Sequence, residues 1–169
     1  MNQQFVPSDQ RGVTTSQMLR GPLTVLGRVL LSTIFLMAAV VNKIPHFSDV
    51  AKLMGSVGVP APQFLLAGAI VFLIVGSLSV IAGYKARIGA VLLLTFLVLA
   101  SYYFHPFWNL EGQVQQEQMI HFMKNLSMTG ALLLIVANGS GPMSLDSWLH
   151  KRVTVSADER RTFAQANVA

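Results

Sequence analysis

One charged side chain inside an apolar stretch is the first residue whose chemistry needs an explanation. Arg28 lies about one and a half turns into a run that otherwise carries no charge. A charge within a bilayer costs several kcal/mol and is usually paired. Of the seven acidic residues, only Asp146 lies just beyond an apolar run on the predicted side of Arg28. We therefore predict an Arg28–Asp146 ion pair, a structural tie between the first and last helices, with snorkelling of Arg28 to lipid phosphates as the alternative.

Histidines form a second set of candidate residues. His46 follows the first apolar run, His105 ends the third and His121 opens the fourth, so three helix ends could bring them together. Imidazoles beside Glu111 or Glu117 would suit a metal, a haem edge or hydrogen bonding to a quinone. No local ligand motif, such as histidines at i and i+4, occurs in the sequence. We therefore assign no metal, and ordinary interfacial histidines are the alternative.

Two polar residues inside the fourth apolar run extend this set. Lys124 and Asn125 follow His121, and Asn125 lies four residues after it on the same helix face. Such a face should turn toward the bundle interior or the headgroups. We predict that His105, His121, Lys124 and Asn125 line a ligand-binding side, and quinone is the ligand considered. The alternative pairs Lys124 with Glu117, and no catalytic residue is assigned.

Composition indicates the environment of these residues. Of 169 residues, 53% are hydrophobic and 11% are charged, with a mean hydropathy of +0.55. Soluble domains average about 25% charged residues, so a membrane protein is predicted. The absence of cysteine excludes thiolate chemistry, disulfide exchange and iron–sulfur clusters within this chain. The net charge of +5 does not indicate nucleic-acid binding, because the basic residues flank apolar runs rather than cluster with aromatics.

Four apolar runs are long enough to cross a bilayer as helices. They cover about 23–41, 64–84, 88–104 and 119–137. The second and third must be antiparallel neighbours, because only residues 85–87 join them. The predicted fold is an all-α integral membrane protein, an antiparallel four-helix bundle within residues 22–143, with tails at 1–21 and 144–169. Pro22 is expected in the first turn of the first span, where its missing N–H is harmless.

The connector after the first span predicts one more helix. Ser48 and Asp49 could cap it, and an apolar face follows at i, i+3, i+4 and i+7 from Val50 to Val57. We interpret this segment as a short interfacial helix between the first and second spans. A second capping pattern, from Ser156 to Glu159, predicts a surface helix in the last tail.

Basic residues favour one orientation. Eight lysines and arginines lie on the side of the two tails and the 85–87 turn, against three on the opposite side. The positive-inside rule then places both termini in the cytoplasm.

Short motifs between residues 27 and 146 carry a family resemblance. They are Gly27-Arg28, Lys43, Gly58-Val59-Pro60, Gly76 and Gly83, Arg87, His105-Pro106-Phe107-Trp108, Lys124-Asn125-Leu126 and Ser144-Leu145-Asp146. The set resembles the DoxX family of small four-helix bacterial membrane proteins. The resemblance implies an association with membrane redox systems, since some relatives are linked to quinone-coupled thiosulfate oxidation or to oxidative-stress complexes.

One position departs from that family pattern. Members often carry a glutamate three residues before the glycine that matches Gly76, and here Leu73 stands there. Any proton handling by that glutamate cannot occur in this chain. The predicted function is a redox-associated inner-membrane subunit that contacts quinone or supports a partner oxidoreductase, and whether it is itself an enzyme stays open. The alternative is a non-enzymatic membrane scaffold or accessory subunit, whose partners are the bilayer and another membrane protein or further copies of itself.

Overall fold

A computed structural model describes residues 9–154, with side chains from residue 17 onward. This part of the chain contains six α-helices and no strand. They are α1 (Asp9–Met37), α2 (Phe47–Ser56), α3 (Pro62–Ala82), α4 (Ala86–Phe104), α5 (Gly112–Asn138) and α6 (145–154). A π-helical turn, Ala38–Lys43, extends α1, and a 3₁₀ turn, Phe107–Asn109, precedes α5.

Four helical segments in the described part are long and apolar enough to cross a membrane. They cover Gln17–Lys43, Pro62–Ala82, Ala86–Asn109 and Gly112–Asn138. Neighbours in this order pack side by side, α1 on α3, α3 on α4 and α4 on α5. The prediction of an all-α four-span membrane bundle is confirmed.

The short helix between the first two spans is also present, as α2, but it begins differently from the prediction. It starts at Phe47, after His46, and no side chain caps its first turn. The expected cap by Ser48 and Asp49 is therefore wrong. Burial of its inner face explains why the helix forms without a cap, since Ala51 and Met54 are buried against α3.

The first helix is longer than the apolar run that predicted it. Residues 9–21 are already helical, so within the described residues there is no break at the predicted boundary between tail and span. Pro22 lies inside α1, and the prediction that it opens the helix is wrong. A proline removes one backbone hydrogen-bond donor, which weakens the helix at that point. The helix is held there by close packing against the segment before α6, since a Cβ on the neighbouring Gly21 would lie 2.6 Å from the sulfur of Met143. The division into tails and a membrane domain stays a prediction, as does the helix from Ser156, which lies outside the described residues.

Two apolar clusters hold the bundle together. The larger joins four of the helices through Phe35, Ala39, Leu73, Val80, Ala90, Leu93, Leu97 and Leu132. The smaller lies beneath α2 and contains Ala51, Met54, Val59 and Leu66. Many other leucines and valines point outward on the spans. An outward apolar surface of this extent is expected when lipid surrounds the bundle.

Small residues allow α3 and α4 to approach closely. A Cβ on Gly76 would lie 2.9 Å from the carbonyl oxygen of Gly89, and one on Gly89 would lie 2.6 Å from Ser79 Oγ. Helices in lipid associate through such close packing. On α3, Gly76 and Ser79 take part in this contact, whereas Gly68 faces open space.

The alternating direction of the spans defines two ends of the molecule. The start of α1, the turn between α3 and α4, and α6 lie at one end, here called the terminal end. The end of α1, α2 and the link between α4 and α5 lie at the other, here called the connector end. The predicted assignment of the terminal end to the cytoplasm stays a prediction.

Candidate functional site

Two predicted histidines meet at the connector end. The rings of His105 and His121 are stacked, with centroids 5.2 Å apart and planes 27° apart. Local sequence explains the encounter: Pro106 follows α4, a 3₁₀ turn reverses the chain, and Gly112 starts α5 with a positive φ of 65°. His105 is half-buried and His121 is exposed, so the pair lies at the protein surface.

Hydrogen bonds give the two rings opposite chemical character. His105 Nδ1 lies 2.7 Å from Gln118 Oε1, an acceptor, so the ring nitrogen donates. Lys124 Nζ lies 3.4 Å from His121 Nδ1. Because an ammonium group can only donate hydrogen bonds, that ring nitrogen accepts. In the neutral rings, His105 Nε2 is then an acceptor and His121 Nε2 a donor. The pair can therefore both donate a hydrogen bond to a ligand and accept one.

An aromatic cluster adjoins the histidine pair. Phe107, Trp108 and Phe122 are mutually packed, with ring centroids between 5.2 and 6.3 Å apart. Phe107 and Trp108 lie in the motif His105-Pro106-Phe107-Trp108. Phe122 was missed, although its place directly after His121 could have indicated it. The cluster provides an apolar surface next to polar ring nitrogens.

Asn125 has a different environment from the histidines. Its side chain is buried, and its Nδ2 donates to Ser101 Oγ over 3.0 Å. Ser101 in turn donates to the carbonyl of Leu97 over 2.7 Å. This chain of bonds joins α5 to α4 within the membrane span. The predicted ligand contact of Asn125 stays a prediction, and in this structure its amide serves helix packing.

The alternative pairing of Lys124 is wrong. Glu117 accepts from Gln113 over 3.1 Å, and the ion pairs of the described residues do not include Lys124 with Glu117. Lys124 is exposed and extends toward His121.

The third histidine does not complete a metal site. His46 is exposed, and its Nδ1 lies 3.1 Å from the carbonyl of Asn42 at the end of the first span. Among the side chains described, those of residues 17–154, no group of three or more histidines and acids could hold a metal ion. The described residues therefore do not support a shared metal site of the three histidines with Glu111 or Glu117.

Arg28 lies at the terminal end and is almost completely enclosed. Its residue is 3% exposed, and its Nη2 donates to the carbonyl of Met143 over 2.9 Å. Its Nη1 lies against Gly83, which has a φ of 66° and leaves no space for a Cβ. Nε and Nη1 have no hydrogen-bond partner within the described structure. The guanidinium thus occupies the C-terminal end of α3, where the helix dipole favours a cation.

Asp146 is at the same end but does not contact Arg28 directly. Its Oδ1 accepts from the backbone N–H of Lys85 over 3.0 Å, its Oδ2 accepts from Ser140 Oγ over 3.2 Å, and its own N–H donates to the carbonyl of Gly83 over 3.1 Å. No nitrogen–oxygen distance within 4.0 Å joins it to Arg28. The predicted ion pair is corrected accordingly, because both carboxylate oxygens of Asp146 are engaged by Lys85 and Ser140.

The N-terminus of α4 explains why Asp146 does not pair with Arg28. Lys85 precedes α4 with a φ of 48°, and no side chain of its own caps the helix. Its N–H needs an acceptor, and the dipole at the N-terminus of α4 favours a carboxylate there. Asp146 meets both needs. Its carboxylate therefore caps the start of α4, whereas the sequence predicted that it would pair with Arg28.

Two cations were not singled out as contacts by sequence reasoning. Arg87 donates to the carbonyl of Ala137 over 3.2 Å and joins α4 to the end of α5. Lys43 is half-buried, with its Nζ 5.2 Å from the centre of the Phe96 ring. The π-helical turn, closed by Ile44 N–H on the carbonyl of Ala39, brings Lys43 onto the inner face of α1. An α-helical periodicity does not signal this change of pitch.

Comparison with known proteins gives one family and several relatives, three of which are described below. Residues 23–106 match the family model described as DoxX. The chain is 29% identical over 127 residues to inner membrane protein YphA of Escherichia coli (strain K12), covering 75% of this chain and 90% of the relative. It is 28% identical over 127 residues to inner membrane protein YqjF of the same strain, covering 75% and 92%. It is 31% identical over 84 residues to a surfeit locus protein 4 homolog of Drosophila melanogaster, covering 47% and 30%. No solved structure gives a significant match.

Proposed function

We propose, from the premise that this chain belongs to the DoxX family of membrane proteins, that it is a redox-associated subunit of the bacterial inner membrane. Its task would be to bind the head group of a quinone at the connector end and hold it for a partner oxidoreductase. The observation that carries this proposal is the stacked pair of His105 and His121, with one accepting and one donating ring nitrogen.

The donor set suits a quinone in both of its states. An oxidised head group presents carbonyl oxygens, which accept, and His121 Nε2–H can donate to one of them. A reduced head group presents hydroxyls, which donate, and His105 Nε2 can accept from one of them. When bound, the quinone would supply the electron-carrying chemistry, and the electrons would come from the partner. This chain would position the head group and hydrogen-bond to it.

Position in the membrane supports the same ligand. His105 directly follows α4, and the aromatic cluster of Phe107, Trp108 and Phe122 lies at the same level. Aromatic residues at this level are typical of the boundary between hydrocarbon and headgroups. A quinone carries a polar ring on an apolar tail, so its ring can reach the histidines while the tail stays in lipid.

Binding of a short-chain quinone to the purified full chain in nanodiscs tests the proposal. We expect saturable binding that weakens about fivefold in His121→Phe, since one neutral hydrogen bond to the ligand, about 1 kcal/mol, is lost. His46→Phe is the matched control, because His46 lies at the same end, is exposed and stands outside the pair. Equal affinities for the wild type and both variants, or the lack of saturable binding, would contradict the proposal.

A second function is favoured by the surface of α5. Only Asn125 and Leu132 are buried along this helix. Large apolar side chains point outward along it, among them Met119, Ile120, Met123, Leu126, Leu133 and Leu134. As a membrane scaffold or accessory subunit, the protein would use this face to hold a partner helix. Photocrosslinking from position 126 in intact membranes would test it: a discrete adduct with one protein supports the scaffold, and crosslinks to lipid alone contradict it.

A further inference from the structure

The helix after the last span has a well-fixed start. Ser144 Oγ accepts from the N–H of Ser147 over 3.2 Å, and Ser147 Oγ accepts from the N–H of Ser144 over the same distance. This reciprocal cap satisfies two backbone donors at the start of α6. Asp146 then joins the first turn to the α3–α4 turn through the Gly83 carbonyl and the Lys85 N–H. Since that turn separates two membrane spans, α6 begins at the edge of the hydrocarbon layer.

One face of α6 is apolar and exposed. Leu145, Trp148, Leu149 and Arg152 follow at i, i+3, i+4 and i+7, which places them on the same side of the helix. The two leucines and the tryptophan are between 41% and 48% exposed, so the bundle does not cover them. Arg152 lies over the indole of Trp148, with its Cζ 3.8 Å from the ring centre.

The charges around α6 define what can cover this face. Exposed or partly exposed basic residues of the terminal end are Arg20, Lys85, Arg87, Lys151 and Arg152. Within residues 17–154, Asp146 is the acidic residue at this end, and its oxygens are already engaged by Lys85 and Ser140. A surface of this kind is complementary to negative charge next to hydrocarbon.

We infer that α6 is a lipid-binding helix, with its apolar face in the interfacial layer and Lys151 and Arg152 on the phosphates of acidic phospholipids. Tryptophan is favoured at this depth, and an arginine stacked on it can reach the headgroups while its stem stays in apolar surroundings. Each basic residue close to an anionic membrane surface strengthens the attachment roughly fivefold.

Lipid binding at α6 would also act on the bundle. The first turn of α6 supplies the carboxylate that caps α4, and the segment before it supplies the Met143 carbonyl to Arg28. Seating α6 on lipid therefore holds both contacts in place. The inference does not depend on the proposed quinone site, which lies at the connector end.

Fluorescence of Trp148 in the full chain tests the inference. Trp108→Phe leaves Trp148 as the remaining tryptophan, and the protein is placed in nanodiscs of phosphatidylcholine with or without phosphatidylglycerol. Quenching by lipids brominated in the upper acyl chain reports contact with the interface. We expect stronger quenching with phosphatidylglycerol, and loss of that gain at high salt because exposed charges are screened.

Two matched variants test whether the charges of Lys151 and Arg152 cause this gain in quenching. Removing both charges with Lys151→Gln and Arg152→Gln should abolish the gain from phosphatidylglycerol, whereas Lys52→Gln should keep it, since Lys52 pairs with Asp49 at the connector end. The inference would be overturned if quenching were the same with and without phosphatidylglycerol, or if the double variant kept the full gain in quenching. It would also be overturned by a Trp148 shielded from both lipids because a second copy of the chain covers it.

Discussion

The two ends of this bundle use polar residues in opposite ways. At the terminal end Arg28 is 3% exposed, and its neighbours are backbone carbonyls and a glycine turn. At the connector end His121 and Lys124 are exposed and contact each other. A polar group enclosed by backbone is costly to remove and cannot reach a ligand. The comparison therefore indicates a structural role for Arg28 at the terminal end, and it leaves the exposed His121 and Lys124 available to the proposed ligand at the connector end.

The largest effect is expected at the glycine that faces Arg28. Gly83→Ala places a Cβ on Nη1 of Arg28 and near Ser144, at a φ of 66° that favours glycine. We expect a loss of roughly 3 kcal/mol or more in the free energy of unfolding, from overlap and backbone strain together. Thermal unfolding of the purified protein measures it.

Gly68→Ala is the matched control for that variant. Gly68 lies within α3, the helix that ends just before Gly83, and a Cβ on Gly68 would meet nothing within 4 Å. Alanine is the better helix former, so stability should be unchanged or slightly higher. If both substitutions had equal effects, the close packing of Gly83 on Arg28 would not be a property of the folded protein.

The next prediction concerns Arg28 and Asp146 as a pair. Arg28→Met leaves the Met143 carbonyl without its partner and should cost about 1–3 kcal/mol. Asp146→Asn keeps an oxygen for the Lys85 N–H and should cost less. Because the two side chains are not in contact, the double-mutant cycle should give a coupling energy below about 1 kcal/mol. A coupling of about 3 kcal/mol or more would restore the direct ion pair.

Arg28 and Asp146 show which features of the structure can be predicted from the sequence and which cannot. Long apolar runs, a three-residue link and a count of charges predicted the fold, because in lipid every backbone group must be satisfied inside a helix. The same reasoning brought Arg28 and Asp146 to one end, since Arg28 lies near the start of the first apolar run and Asp146 lies just beyond the end of the fourth. It could not assign their partners, because the competing acceptors and donors are backbone groups that exist only after the Gly83 and Lys85 turn has formed.

The candidate site was predictable to a similar depth. From the sequence, His46, His105 and His121 could meet because helix ends come together in a small bundle, and the structure brings His105 and His121 together. Their stacking, and the separate contacts to Gln118 and Lys124, depend on a 3₁₀ turn whose geometry has no clear sequence signal. Asn125 shares a helix face with His121, yet one turn deeper the same face meets α4 instead of solvent.

Asn125 provides a test within the connector end itself. Asn125→Ala removes the bond to Ser101 inside a span and should lower the unfolding free energy by about 1 kcal/mol, the size measured for hydrogen bonds between membrane helices. Quinone affinity should stay unchanged, because the amide faces α4. Ser127→Ala is the control, since Ser127 is exposed and bonds only to the carbonyl of Met123 in its own helix. Weaker quinone binding at unchanged stability would place Asn125 in the ligand site.

The smallest effect, and the one that tests the chemistry of the site most closely, is a difference between the two histidines. His121→Phe removes the donor and should lower the affinity for the oxidised quinone more than the affinity for the quinol. His105→Phe removes the acceptor and should lower the affinity for the quinol more. Phenylalanine keeps the stacked ring, so the change should report ring nitrogens alone. Each preference should be about fivefold, corresponding to about 1 kcal/mol for one neutral hydrogen bond. Affinities measured for both redox states in both variants decide it: equal losses for the two states would show that the rings act through shape, and the proposed division into donor and acceptor would fail.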